Sequence, residues 1–167
     1  VLLDDKNGIL IRNIKYKGSK QSFAKISNIA DEFPLQEGIL ISTGNVFDAL
    51  GPNSKADAGR RTSAMRDRDL QSIATGAVFD AAYIEFELLS LKDSISFEYV
   101  FASEEYPEYV DKGVNDIFAF FLFELDSRAI FPQNIAIVPN TRIPVTIDNV
   151  NHKINSEYFL RSDYLDA

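Results

Sequence analysis

At 167 residues the chain is sized for one domain with a substantial core. A formal net charge of −8 makes nucleic acid and anionic membrane surfaces poor partners, and the absence of cysteine excludes a disulfide framework and thiolate chemistry. Phe (13) and Tyr (7) are abundant and Trp is absent; aromatic and β-branched runs separated by turns point to an all-β domain. No apolar run reaches the roughly 18–20 residues that span a bilayer, so membrane insertion is not expected. The opening Val1-Leu2-Leu3-Asp4-Asp5 lacks the charged and apolar regions of a signal peptide, and the chain is expected to be a processed piece of something longer.

In chain order, Gly8–Tyr16 (GILIRNIKY) reads as a strand closed by Gly18 and Ser19. In Gln21–Glu37, Phe23, Ile26 and Ile29 could anchor a short helical turn or an irregular connection, and Pro34 breaks any extension. Gly38–Ser42 is a short apolar strand. From Asn45 to Gly76 runs one long irregular loop, with a turn at Gly51-Pro52-Asn53 and a helical turn over Asp67–Ala74 capped by Asp67. Arg60, Arg61, Arg66 and Arg68 make it the densest cationic stretch, either gripping an anion or simply solvated.

Ala81–Leu89 (AAYIEFELL) alternates cleanly, with Ala82, Ile84, Phe86 and Leu88 inward and Tyr83, Glu85 and Glu87 outward. The short link Lys92-Asp93-Ser94 leads into a second alternating run, Ser94–Phe101, and the two are expected to pair as an antiparallel hairpin. Ile117–Phe123 is apolar on both faces and reads as a central, covered strand. A loop over Asp126–Gln133 follows, then strands at Asn134–Val138 and Pro144–Val150 joined by the turn Pro139-Asn140-Thr141, then a last edge segment at Asn155–Ser162. The expected architecture is an antiparallel, jelly-roll-like β-sandwich over residues 1–167, with one long loop and at most short helices.

Between the runs 94–101 and 117–123 lie Glu104, Glu105, Glu108, Asp111 and Asp116, with Asn115 adjacent and Lys112 as the cation among them. Two such charges 4 Å apart repel by about 1 kcal/mol even in water, and several-fold more near a protein surface. A hard cation would relieve this. Calcium accepts roughly six to eight oxygens in irregular loops, and the lack of nearby histidine or cysteine argues against zinc or copper. Calcium is therefore the expected cofactor, with Glu104, Glu105, Glu108, Asp111, Asn115 and Asp116 as candidate ligands; the alternative is a solvated acidic loop. Tyr106 and Tyr109, in the same loop, could offer stacking faces to a sugar or simply pack. The single histidine, His152, sits in a polar string, and no G-x-S-x-G elbow accompanies it.

The segments GILISTG (38–44), GPN (51–53), DRDL (67–70), FDAAYIEFEL (79–88), FEYVFASEEYPEYV (97–110), NDIFAFFL (115–122) and NIAIVPNTRIPVTIDNVN (134–151), taken in order, resemble the choice-of-anchor L domain family of bacterial secreted and surface proteins. The resemblance implies an exported module at the bacterial cell surface, and members continue through further strands beyond the segment matching 134–151. This chain is expected to lack those strands unless another chain supplies them. The function expected is a non-enzymatic, calcium-stabilised module serving adhesion or assembly with other protein chains or domains. Alternatives are a lectin-like module binding glycans, or a glycoside hydrolase using the loop carboxylates.

Overall fold

The structure, a computed structural model, describes residues 8–27, 33–50, 60–63, 65–125 and 132–160. The turn expected at Gly51–Asn53 and most of the loop expected at 126–133 lie outside them. Among the described residues the regular structure is three two-stranded antiparallel sheets, one short α-helix and three 3-10 turns, and most of it is strand. A sandwich arrangement of these sheets is not among the described features. Two compact units divide the chain: residues 1–47, 61–65 and 80–100 in the first, residues 48–60, 66–79 and 101–167 in the second.

In the first unit, β1 (Ile9–Lys17) pairs antiparallel with β4 (Tyr83–Ser90), and β2 (Phe23–Ser27) with β3 (Glu37–Ile41). The β4 alternation is as the sequence reads. Glu87 binds Arg12 at 2.7 Å and Glu85 binds Lys15 at 3.2 Å, while Ile84, Phe86 and Leu88 are half-buried. The partner of β4 differs from expectation, being β1 rather than the run 94–101. The Ser90 hydroxyl accepts from the Lys92 N–H and donates to the Lys92 carbonyl, so β4 ends in a side-chain turn and not in a hairpin loop. Residues 94–100 join no ladder.

Where a helical turn or irregular connection was expected after Gly18, a single 3-10 turn at Lys20–Ser22 leads directly into β2. Gly18 (φ +138°) lies so near Ala82 that an added Cβ would come within 3.0 Å of the Ala82 Cβ. Only glycine allows that approach.

The second unit holds α1 (Arg68–Ile73), β5 (Phe121–Leu122) and β6 (Gln133–Asn134), the two strands being paired. Asp67 caps α1 as expected, its side chain accepting from the N–H groups of Asp69 and Leu70. The run expected as a covered central strand contributes only the bridge Ile117–Thr146 and the two residues of β5, and Leu122 and Phe123 are exposed. Residues 134–146 fold back through the turn at 139–141, with Val138 N–H on the Ile143 carbonyl at 2.8 Å and a bridge between Ile137 and Pro144. The two strands expected there are reduced to isolated bridges, and 147–150 turn away. Their side chains form the core: Val138, Val145 and Val150 cluster with Phe101 and Phe159, and Ala136 and Ile147 are fully buried.

Candidate functional site

The second unit gathers the acidic loop at the edge of this core. Residues 104–113 form successive turns, with Tyr109 N–H on the Glu105 carbonyl and Lys112 N–H on the Tyr109 carbonyl. Asp111 (φ +62°) and Gly113 (φ +80°) reverse the chain after them. Tyr106 fastens the loop to the core. Its hydroxyl donates to the Val150 carbonyl, its ring lies 5.0 Å from that of Phe159, and burial with the nearby charges of Asp116 and Asp148 raises its phenol to about 12.

Ser103 and Asp116 close the acidic site. The Ser103 hydroxyl accepts from the Glu105 N–H at 3.1 Å and donates to Asp116 Oδ2 at 2.8 Å, while the Asp116 backbone N–H donates to the Glu105 carboxylate. Asp148 enters from the other side. Its Oδ1 accepts from the Asp111 N–H at 2.8 Å, and its own N–H donates to Asn115 Oδ1 at 3.2 Å. The Ile147 N–H bonds the Asp116 carbonyl, so the two segments run together.

Glu105 stands out within this frame. Its Oε2 is buried with no hydrogen-bond partner. Burial first, then the charges of Asp116 and Asp148, push its carboxyl up to about 7, against one favourable bond from the Asp116 N–H. A buried carboxylate oxygen left without a donor needs a proton or a cation beside it.

Of the residues expected at a metal, then, Glu105 and Asp116 come together, with Asn115 attached through Asp148. Glu104 and Glu108 are exposed, and Asp111 turns to Lys153 at 3.3 Å. Among the described residues, no three carboxylate or histidine groups already converge closely enough to hold a metal ion. Asp148 escapes sequence reasoning because it sits in a run read as a strand; its flanking asparagines, Asn149 and Asn151, are the signal that the segment turns.

Tyr106 has its ring and hydroxyl committed to packing, and Tyr109 is half-buried. Three of the loop arginines are engaged locally: Arg60 grips Asp48 at 2.5 Å, Arg61 approaches Asp80 at 3.8 Å, and Arg66 stacks over the Phe79 ring at 4.8 Å. His152 is exposed.

A family model, that of the choice-of-anchor L domain, matches residues 1–165. No curated protein and no solved structure matches the chain.

Proposed function

The chain belongs to the choice-of-anchor L domain family, and on that premise we propose that it is a non-enzymatic module of a bacterial cell-surface protein, stabilised by calcium and serving assembly with other protein chains or domains. The family is one of surface modules, and no helix among the described residues is long and apolar enough to cross a membrane. The observation that carries the calcium reading is Glu105 Oε2, buried and unpartnered beside Asp116 and Asp148. Hard carboxylate oxygens on an irregular loop are the donors calcium takes. Glu105, Asp116 and Asp148 would hold the ion, drawing closer than they stand without it, and Glu104 and Glu108, exposed on the same turn, are the further oxygen donors the sequence offers. Bound there, calcium would supply the positive charge that the three acids lack.

Thermal melting with calcium and with EDTA tests this. A native-only site at about a hundred times its dissociation constant adds about 2.7 kcal/mol. Glu105→Gln and Asp116→Asn are expected to abolish the calcium response, and Arg60→Ala to keep it. A melting temperature indifferent to both calcium and EDTA removes calcium from the proposal.

A further inference from the structure

The first unit carries a feature that the metal reading does not use. A β-bulge interrupts β1, with the register shifting between Arg12 and Lys15 and Asn13 held at φ +54°. Before the bulge Arg12 lies opposite Glu87, and after it Lys15 lies opposite Glu85. Were β1 to continue in the register of Arg12 and Glu87 with no residue bulged out, Tyr16 would fall opposite Tyr83, on the charged face of the sheet. With one residue bulged out, Tyr16 falls opposite Ile84, on the apolar face. The result is a groove of about 250 Å³ lined by Ile14, Tyr16, Phe23, Ile84 and Lys20, with the Tyr16 and Phe23 rings edge-to-face at 5.3 Å.

The cation at this groove is part of a larger asymmetry. Between Gly8 and Ser27 the chain bears Arg12, Lys15, Lys17, Lys20 and Lys25 and no acidic residue, in a protein of net charge −8. Arg12 and Lys15 are paired with β4 glutamates. Lys20 and Lys25 form no ion pair among the described residues, and Lys25 shares the face of β2 that carries Phe23. The complement lies on the same chain. The turn 104–110 carries Glu104, Glu105 and Glu108 and no basic residue, with Glu108 and Pro107 exposed and Tyr109 half-buried.

We propose that this groove is a docking site for a second copy of the chain, whose turn 107–109 seats Pro107 and Tyr109 against Tyr16 and Phe23 and sets Glu108 against Lys20. Rings and a proline fill an apolar slot whose lining has too few hydrogen-bonding groups to hold a sugar. The opposed charges fix which surface meets which. Groove and turn are different surfaces, so the contact is heterologous and each copy keeps one of each to offer. The proposal rests on the reading of the chain as an assembly module; its groove, with Lys20 and Tyr16, lies outside the residues assigned to calcium, whereas Glu108 shares a turn with Glu105.

Sedimentation velocity across about 1 μM to 1 mM protein, at low and high salt, measures the association directly. Mass is expected to rise with concentration, and less so in high salt as the screening length falls from about 30 Å at 0.01 M to about 3 Å at 1 M. Lys20→Glu and Glu108→Lys should each weaken association by about tenfold or more. An equimolar mixture of the two variants should restore it, because one then offers the intact groove and the other the intact turn. Tyr16→Ala should weaken it in either salt. Lys20→Glu should leave the calcium response of melting unchanged, which separates failure of this contact from failure of the metal site. A single-copy mass throughout, or association unaffected by both charge reversals, overturns the proposal.

Discussion

The two units of this chain place order and burial in opposite parts. The first is built of ladders, β1 with β4 and β2 with β3, yet its strands leave Leu10 (42% exposed), Ile39 (48%) and Ile41 (40%) open to water. Among its described residues the second has only a two-residue ladder, yet its irregular segment 136–151 contains Ala136, Val138, Ile147 and Asn151 at 1% exposure or less. Regular backbone pairing satisfies N–H and C=O groups cheaply but does not by itself exclude water. Burying an irregular segment requires side chains to do the pairing instead.

Asn151 shows how that is done. Its amide donates to the Ile147 carbonyl at 2.9 Å and the Asp148 carbonyl at 3.1 Å, and its oxygen accepts from the N–H groups of Lys153 and Ile154. Every bonding position of the side chain is used. Asn134 does similar work, its oxygen taking the N–H groups of Phe120 and Ala136. Asn151→Ala is expected to be the most damaging single change, about 3–5 kcal/mol, because it leaves buried backbone groups unpaired. Urea denaturation measures it, and a loss below about 1 kcal/mol would mean that the irregular segment is not held by this side chain.

A matched pair of truncations sharpens the contrast. Ile147→Ala, at a site with no exposure, is expected to lose about 3 kcal/mol. Ile39→Ala, in the middle of a ladder, is expected to lose less than about 1 kcal/mol because half its surface is already wet. Equal losses at the two sites would show that the strands of the first unit are covered in solution by something else, and the docking of a second copy is one way that could happen.

The same division explains what could be read from the sequence. Periodicity found β1, β3 and β4 to within a residue or two, and the Asp67 cap found α1, because these features are local. The partner of β4 could not be found that way. Arg12 and Lys15 lie some seventy residues from Glu87 and Glu85 (|i−j| of 75 and 70), and an inserted bulge residue puts both cations opposite acids. In the acidic stretch the anions were visible but their sorting was not. Ser103 and the Asp116 N–H select Glu105, whereas Asp111 is withdrawn by Lys153 and replaced by Asp148, a residue whose neighbours look like strand.

Glu105 gives the next effect in size. Below about pH 4.5 its carboxyl is protonated in both the folded and the unfolded chain and has no effect on stability. As pH rises from there to about 7 the unfolded chain releases the proton while the folded chain keeps it, so calcium-free stability falls through this window. The side chain is partly open to solvent, and screening holds the total to about 1 kcal/mol. Glu105→Gln should therefore flatten the profile and raise calcium-free stability at pH 8. A profile equally steep in the variant would place the titration elsewhere.

The smallest effect belongs to the charged face of the first unit. Lys15 and Glu85 meet at 3.2 Å, but their side chains are 70% and 60% exposed. Water competes for both, and holding two long side chains in one rotamer offsets most of the attraction, so Lys15→Ala is expected to shift stability by less than about 0.5 kcal/mol. What the pair can still do is set register. A one-residue slip of β1 would carry Lys15 away from Glu85 and Tyr16 onto the charged face at once. The double variant Lys15→Ala with Asn13 deleted separates the two roles. With the bulge residue gone, the register in which β1 runs uninterrupted still sets Tyr16 opposite Ile84, so concentration-dependent association should be kept and the melting temperature changed little. Loss of association at an unchanged melting temperature would show that Lys15, and not the apolar face, holds the register.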